Sequence, residues 1–296
     1  MASLRDIRTR IKSVKNTQKI TKAMKLVAAS KLRRAQDAIN AARPYAVEIG
    51  QALGRVGSSL EDGDGAVSNP LLETRDVKKA LLVVMTSDRG LCGGFNSNII
   101  RRAEQFLREN EDVYDEIQLA TIGRRGNEHF RKKDNLKVRN YEDVFAKLQF
   151  NDALSIAQEL SAEYVDGNVD AVYLLYNQFE SAISQVVTIS TLVPVSGADE
   201  SSAEDDSRAS LEYIYEPGAQ AVLDHLVPRY VATLVWRALL ESNASEHGAR
   251  MSAMDSATKN GKELEDKLTL QYNRARQANI TQELMEIVGG AEALNG

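Results

Sequence analysis

The sequence predicts two long helices that pair with each other, and a small α/β domain inserted between them. All five prolines, and every run typical of a buried strand, lie between residues 44 and 228. Outside the inserted region, apolar residues recur at the alternating three- and four-residue step of a coiled coil. A helix with such a stripe needs a partner that covers it, and two such helices in one chain can cover each other.

The N-terminal stripe runs from residue 4 to residue 60, and only Gln18, Thr21 and Lys25 interrupt its apolar character. Pro44 marks a candidate kink or joint, because proline removes one hydrogen bond from a helix. We therefore expect a coiled-coil helix over residues 1–60. The stripe consists of Leu4, Ile7, Ile11, Val14, Gln18, Thr21, Lys25, Ala28, Leu32, Ala35, Ile39, Ala42, Ala46, Ile49, Leu53, Val56 and Leu60.

The C-terminal stripe follows the same step from Leu223 to Met254 but is more polar. After Gly261 the best apolar fit shifts in phase, to Leu264 and on to Met285. We expect a coiled-coil helix over residues 211–296, antiparallel to the first, with a phase slip at the glycine.

Strands and helices alternate over residues 75–195. Their order predicts a mainly parallel, Rossmann-like sheet covered on both faces. An acid-rich stretch without large apolar residues, 196–210, then predicts a mobile, solvated loop. The predicted strands lie within 77–87, 116–123, 170–177 and 184–195, and the predicted helices at 97–110 and 151–165.

Composition argues against several kinds of site. No stretch approaches 18 uninterrupted apolar residues, so no membrane-spanning helix is expected. The first residues lack the apolar core of a secretory signal. Cys92 is the single cysteine, and His129, His225 and His247 are scattered without metal-ligand spacing, so we expect neither a disulfide nor a metal site.

Charge is distributed unevenly. The first 43 residues carry twelve Lys and Arg against two acids, and so have a net charge of +10 in a chain of net charge −5. This asymmetry indicates an anionic partner: nucleic acid, a membrane surface or an acidic protein. The alternative is a solvated helix face, but so many unopposed positive charges would repel each other unless an anionic surface screened them. Among anionic partners an acidic protein is favoured over nucleic acid, because the basic segment has neither interleaved aromatic residues nor a known nucleic-acid motif.

The segment SDRGLCGGFN, residues 87–96, raises the alternative of a nucleotide site. Its glycines, Gly90, Gly93 and Gly94, follow a predicted strand. A dinucleotide loop needs G-x-G-x-x-G, and a P-loop needs a lysine after its last glycine. Here Phe95 follows the last glycine, so the pattern favours a tight connection from strand to helix over a phosphate site.

Two further hypotheses concern the same segment. Asn96 or Ser97 is the expected N-cap of the following helix, because both side chains can accept a hydrogen bond from the first helical turn. Cys92 as a nucleophile is disfavoured, because no nearby histidine can act as its base.

The end of the C-terminal helix is polar over residues 271–293. One interpretation is an ordinary exposed helix end, stopped by Gly289 and Gly290. The other is a helix that runs through a polar cavity lined by other proteins. The residues alone leave both open.

Four stretches, in order along the chain, resemble the γ subunits of F-type ATP synthases. They are IRTRIKSVKNTQKITKAMKLVAASKLRRAQ (7–36), SDRGLCGGFN (87–96), ARMSAMDSATKNG (249–261) and ITQELMEIVGGAEA (280–293). The last fits the family signature at Ile280, Thr281, Glu283, Glu286, Gly290 and Ala291. The resemblance covers essentially the whole chain, and the absence of a transit peptide before the first stretch indicates the bacterial type.

The resemblance implies one copy of a rotating, non-catalytic shaft. In this family the paired terminal helices stand inside a ring of three α and three β subunits, and the central domain lies beside ε and touches the membrane-embedded c ring. Proton flow turns the ring and shaft, and ATP is made or hydrolysed on β. The resemblance therefore implies no catalytic residue, no cofactor and no nucleic acid. It also implies a peripheral protein on the cytoplasmic face of the bacterial inner membrane, which contacts the membrane only through the c ring.

Residue by residue, the resemblance implies three groups of contacts. The basic set, which would face acidic loops of β, is Lys12, Lys15, Lys19, Lys22, Met24, Lys25, Lys31, Arg33 and Arg34. A second β contact would be made by Arg276, Gln277 and Thr281. The c-ring contact would be made by Tyr213, Tyr215 and Glu216. The competing hypotheses are an enzyme that binds nucleotide in the central domain and a coiled-coil nucleic-acid binder.

Overall fold

The computed structural model describes residues 3–61, 69–133, 137–195 and 215–295. The predicted acidic loop, 196–210, and Tyr213 lie outside the described residues. In chain order the elements are α1 Leu4–Glu61, β1 Lys79–Met85, α2 Phe95–Glu109, β2 Glu116–Ile122, α3 Arg124–Phe130, β3 Val138–Tyr141, α4 Phe150–Val165, β4 Ala171–Phe179, β5 Gln185–Val193 and α5 Ala219–Asn295.

The chain divides into two compact units. One consists of Met1–Ala29 and Arg250–Gly296, and the other of Ser30–Ala249. α1 and α5 each contribute a segment to both units, whereas the boundaries predicted from the sequence lie at the helix ends. Those boundaries stay a prediction.

The sheet in Ser30–Ala249 has the strand order β3-β2-β1-β4-β5. The first four strands are parallel, and β5 pairs antiparallel with β4. Central β1 is buried on both faces, which explains its continuous apolar run. Its alternate residues face two separate cores: Leu81 and Val83 belong to one, and Leu82 and Val84 to the other.

Helices cover both faces of this sheet. One core contains Phe106 of α2 and Phe130 of α3. The opposite core contains Leu160 of α4 together with apolar residues of α1 and α5, among them Leu53 and Val231. The parts of α1 and α5 in this unit are therefore components of its core.

Two short elements were not predicted. β3 has four residues, all half-buried, and α3 has seven. Neither is long enough to display the periodicity that reveals a helix or a strand from sequence. The helix α1 is also uninterrupted at Pro44, where a joint was considered.

In the unit of Met1–Ala29 and Arg250–Gly296, the described parts of α1 and α5 run antiparallel. Gln18 Nε2 donates to Glu265 Oε2 at 3.0 Å, and Lys25 Nζ lies 2.5 Å from Asp255 Oδ1. Residues further along α1 therefore meet residues earlier in α5, so the two helices are antiparallel. All three polar residues in the predicted stripe of α1 thus face polar groups, since Thr21 also contacts α5.

The predicted phase slip at Gly261 is wrong. The least exposed positions continue without a shift through Met254, Thr258, Gly261, Glu265, Leu268, Tyr272 and Ala275. Leu264, placed inside by the slip, is 47% exposed. The inward residues Thr258, Gly261 and Glu265 are polar or small because Gln18 and Thr21 lie opposite them. A search for apolar residues therefore selected the wrong face here.

Candidate functional site: exposed helix surfaces

The basic set lies on α1, and most of its members are exposed. Lys12, Lys15, Lys19 and Lys22 are exposed in the first unit, as are Lys31, Arg33 and Arg34 in the second, while Met24 and Lys25 are half-buried. Within the described residues, Lys12, Lys19, Lys22, Lys31, Arg33 and Arg34 take part in no ion pair. In the part of the chain that the structure describes, no carboxylate pairs with these six charges.

Two members of the basic set have partners within the chain. Lys15 Nζ lies 3.4 Å from Glu265, and Lys25 pairs with Asp255. The hydrogen bond from Lys25, with help from Lys259, lowers the pKa of Asp255. Lys25 thus stabilises the helix pair, a role that the sequence analysis did not assign to it.

Apolar side chains are interspersed with these charges. Ile20, Leu26 and Val27 are each more than half exposed. Sequence reasoning missed them because it followed only the inward stripe, although any apolar residue off that stripe was a signal. Burial of these apolar side chains by a partner protein would remove them from water.

The end of α5 is uncovered. Every residue from 276 to 291 is exposed, including Ile280, Met285 and Ile287. Arg276, Gln277 and Thr281 lie in this stretch, and Thr281 Oγ1 donates to the Gln277 carbonyl at 3.0 Å. An isolated helix of this length with so many exposed apolar residues favours a sheath supplied by other proteins.

Of the two interpretations of the polar end of α5, the one in which Gly289 and Gly290 stop the helix is wrong. α5 continues through Gly289 and Gly290 to Asn295. An added Cβ at either glycine would meet nothing within 4 Å. Because the helix continues beyond them, these glycines do not form its C-cap.

The described residues of the third predicted group differ in accessibility. Tyr215 is half-buried against the core, and its hydroxyl donates to the Arg55 carbonyl at 3.5 Å. Glu216 is exposed. Of the two, Glu216 is the one whose side chain is open to a partner.

The glycine-rich segment connects β1 to α2, and its expected N-cap is wrong. The N-cap is Gly94, which has no side-chain cap. Asn96 instead bonds back to the loop: its Oδ1 accepts from the Ser87 N–H at 2.9 Å, and its Nδ2 donates to Ser87 Oγ at 2.8 Å. Ser97 Oγ donates to the Gly94 carbonyl, so it too caps no N–H group.

The same segment is covered by α5. Cys92 and Phe95 are buried with Ala249 in a small apolar cluster. Gly93 has φ +59°, a conformation that glycine adopts without strain. The loop is thus a packed turn held by hydrogen bonds, as the sequence pattern favoured.

Two further searches concern the residues that the structure describes. No helix among them is long and apolar enough to cross a membrane. No group of three or more His, Cys, Asp or Glu side chains among them could hold a metal ion.

Comparison with known proteins gives consistent matches. The family model described as ATP synthase matches residues 3–294. A protein named ATP synthase gamma chain from Anaeromyxobacter sp. (strain Fw109-5) is 56% identical over 99% of this chain and 100% of its own length. One of the same name from Geobacter metallireducens is 52% identical over the full length of both chains.

Solved structures resemble the fold. A chain in the central stalk and c-ring structure of the Tetrahymena thermophila mitochondrial ATP synthase matches 80% of this chain and 99% of its own, with 30% identity and a TM-score of 0.60. A chain in the OSCP/F1/c-ring structure of the Euglena gracilis mitochondrial ATP synthase matches 98% of this chain and 94% of its own, with 20% identity and a TM-score of 0.67. The second likeness concerns the fold alone.

Proposed function

Because the chain belongs to the family of ATP synthase gamma chains, we propose that it is the central shaft of an F-type ATP synthase. Rotation of this shaft couples proton flow through the c ring to the conformational cycle of the catalytic β subunits. The single observation that carries the proposal is the bare end of α5, exposed at every residue from 276 to 291. Such a helix is suited to rotate inside a cavity formed by other subunits.

The terminal helices form an antiparallel coiled coil. Support comes from the polar contacts at Gln18, Thr21 and Lys25, which lie on the inward stripe of α1 and each meet α5. All sixteen described positions of that stripe are buried or half-buried. Polar groups at inward positions favour one register of the two helices over others. A pair of helices that transmits torque requires such a single register.

The paired terminal helices contact β through two groups of residues. The uncompensated cations of the basic set face acidic loops of β, with Ile20, Leu26 and Val27 as apolar contacts between them. Arg276 and Gln277 provide hydrogen-bond donors near the end of α5, and Thr281 Oγ1, which donates to the Gln277 carbonyl, can accept a hydrogen bond. Exposed ion pairs contribute only about 0–1 kcal/mol each, so such contacts can break repeatedly during rotation.

The Rossmann-like central domain is the foot of the shaft. Glu216, with Tyr215 and Tyr213 beside it in sequence, contacts the c ring, and the ε subunit lies against the domain. One copy serves an α3β3 hexamer, and the protein reaches the membrane only through the c ring. It is thus a peripheral component on the cytoplasmic face of the inner membrane.

The chain itself carries no catalytic residue and binds no cofactor. This part of the proposal is supported by the glycine-rich loop, whose Cys92 and Phe95 are packed under Ala249. The nucleotide chemistry belongs to β, with help from α.

Purification from membranes tests the assignment. A tagged copy of the full chain should bring down two large nucleotide-binding subunits in equal amounts, about three of each per tagged chain. Their absence from a preparation that retains the tagged chain would refute the assignment.

Titration calorimetry tests the competing enzyme hypothesis. The full chain should bind ATP, ADP and NAD no more tightly than millimolar, and micromolar affinity for any of them would support a nucleotide site in the central domain. Steeply salt-dependent binding to DNA would instead support the nucleic-acid hypothesis.

A further inference from the structure

One segment of α5 is buried on all sides. From Ala238 to Ala249 every residue is buried except Asn243, which is half-buried. A helix that packs one face against a core alternates between buried and exposed positions. This segment does not, so other parts of the chain cover it on every side.

Three contacts hold the last part of this embedded segment. Ser245, fully buried, donates from its Oγ to the Asn177 carbonyl at 3.0 Å. Ala249 packs on Cys92 and Phe95. Asn177 lies in β4, and Cys92 lies in the loop before α2, so the contacts reach different parts of the sheet domain.

The third contact is a close approach of two backbones. A Cβ at Gly248 would lie 3.3 Å from both the Cα and the carbonyl oxygen of Ala182, in the turn between β4 and β5. Backbone atoms cannot move aside as a flexible side chain can. Any turn of the helix about its own axis would bring a residue with a side chain into this space.

The loop that receives Ala249 is itself held by hydrogen bonds. Asn96 binds Ser87 through both ends of its amide, and its Nδ2 also lies 3.3 Å from Cys92 Sγ. The loop is therefore a firm support for the helix.

We propose that Ser245, Gly248 and Ala249 form a clamp that fixes the rotational angle of α5 against the sheet domain. α5 continues without a break past this clamp to Asn295. The inference rests on the proposed function: the clamp is then the point at which torque enters the C-terminal helix from the foot. The three residues position the helix and take no part in ATP chemistry.

The substitution Gly248→Val, in the assembled ATP synthase, tests this inference. Valine would force the helix away from Ala182 or turn it. We expect ATP hydrolysis to stay within about twofold of wild type, while ATP-driven proton pumping in inverted vesicles falls at least fivefold. The matched control is Asn243→Val, at the half-buried position of the same segment, which should retain the wild-type ratio of pumping to hydrolysis.

The c ring must still co-purify with the Gly248→Val complex, which separates lost transmission from lost assembly. An unchanged ratio of pumping to hydrolysis in an intact complex would overturn the clamp but leave the proposed function standing. Absence of the nucleotide-binding subunits from wild-type preparations would instead refute the proposed function.

A second variant keeps the inference testable if Gly248→Val does not fold. Ala249→Cys places a second thiol against Cys92, the only native cysteine. If the clamp holds, a short thiol cross-linker should join the pair and leave pumping unchanged, because the two residues keep their contact through each rotation. A loss of pumping once the pair is cross-linked would overturn the inference.

Discussion

The hydroxyl oxygens of Thr21 and Thr258 lie 2.7 Å apart, where α1 and α5 run side by side. Each hydroxyl also lies within hydrogen-bond distance of a backbone carbonyl of its own helix, that of Gln18 or Met254. Only one proton can lie between the two oxygens, so one threonine donates to the other. This contact links the two helices at a single register.

The first prediction concerns this threonine pair. Thr258→Val leaves the buried Thr21 hydroxyl with its local carbonyl only, and should lower the free energy of unfolding by about 1 kcal/mol. In the Thr258→Val background, Thr21→Val should lower the free energy of unfolding by less than it does in the wild-type chain. The difference, which is the coupling energy, should be at least about 0.5 kcal/mol. A double-mutant cycle by urea unfolding of the full chain measures this coupling, and additive effects would contradict the contact.

The second prediction concerns Gly261. A Cβ there would lie 2.8 Å from Gln18 Cγ. Alanine gains about 1 kcal/mol of helix propensity but displaces the Gln18 side chain from Glu265, so Gly261→Ala should change stability little. Gly261→Val should destabilise by about 1–3 kcal/mol through overpacking.

The matched control for Gly261→Ala is Gly289→Ala, on the same helix with nothing within 4 Å of the added Cβ. It should gain up to about 1 kcal/mol of helix propensity with no offsetting loss. Thermal unfolding followed by circular dichroism compares the two, and an equal gain at both positions would argue against the Gln18 contact.

The third prediction concerns acid stability. The hydrogen bond from Lys25, followed by that from Lys259, lowers the pKa of Asp255 below its ordinary 3.8. A carboxylate whose pKa is lower in the folded than in the unfolded chain stabilises the fold at pH values above its unfolded-state pKa. This stabilisation is lost as the pH falls through its folded-state pKa. Asp255→Asn should therefore flatten the fall of the urea midpoint below about pH 4. Parallel curves for wild type and Asp255→Asn would contradict this role.

The fourth prediction concerns the end of α5. Arg276 is exposed, so Arg276→Ala should leave the stability of the isolated chain unchanged. In the assembled enzyme it should reduce coupled ATP synthesis about tenfold, because a hydrogen bond to a charged group contributes about 1.5–3 kcal/mol. Arg274→Ala, also exposed on the same helix, is the control and should change synthesis less than twofold. Normal ATP synthesis by vesicles that carry the Arg276→Ala enzyme would show that Arg276 does not contribute to the β contact.

The fifth prediction separates two kinds of lysine. Single changes of Lys12, Lys19 or Lys22 to alanine should alter ATP hydrolysis less than twofold, because each exposed ion pair with a partner is worth about 0–1 kcal/mol. Lys25→Ala should differ by lowering the urea midpoint of the chain itself, because it leaves Asp255 with one fewer partner. Equal midpoints for Lys12→Ala and Lys25→Ala would show that the Lys25 pair does not stabilise the helices.

The sequence predicted those features that depend on periodicity. The stripe of α1 was identified because residues 3.5 apart face the same side, and every described position of it is buried or half-buried. The apolar run of β1 was recognised because a central strand is covered on both faces. Short elements such as β3 carry too few residues for any period to show.

The inward face of α5 beyond Met254 could not be predicted from hydrophobicity alone. Thr258 and Glu265 face inward because they meet Thr21 and Gln18. The signal was present in α1, whose polar stripe residues require polar partners on the opposite helix. Asn96 was misassigned for a related reason: a residue typical of an N-cap can equally hold a loop, and only the tertiary structure decides between the two.

The distance in sequence between α1 and its partner has a consequence for biosynthesis. Val56 packs in the same core as Leu223, which is made roughly 170 residues later. At about 5–20 residues per second, a ribosome needs on the order of 10 s or more to make the intervening chain. The apolar stripe of α1 is thus among the first parts of the protein to leave the ribosome and among the last to be covered, which makes the nascent chain a natural client for a chaperone.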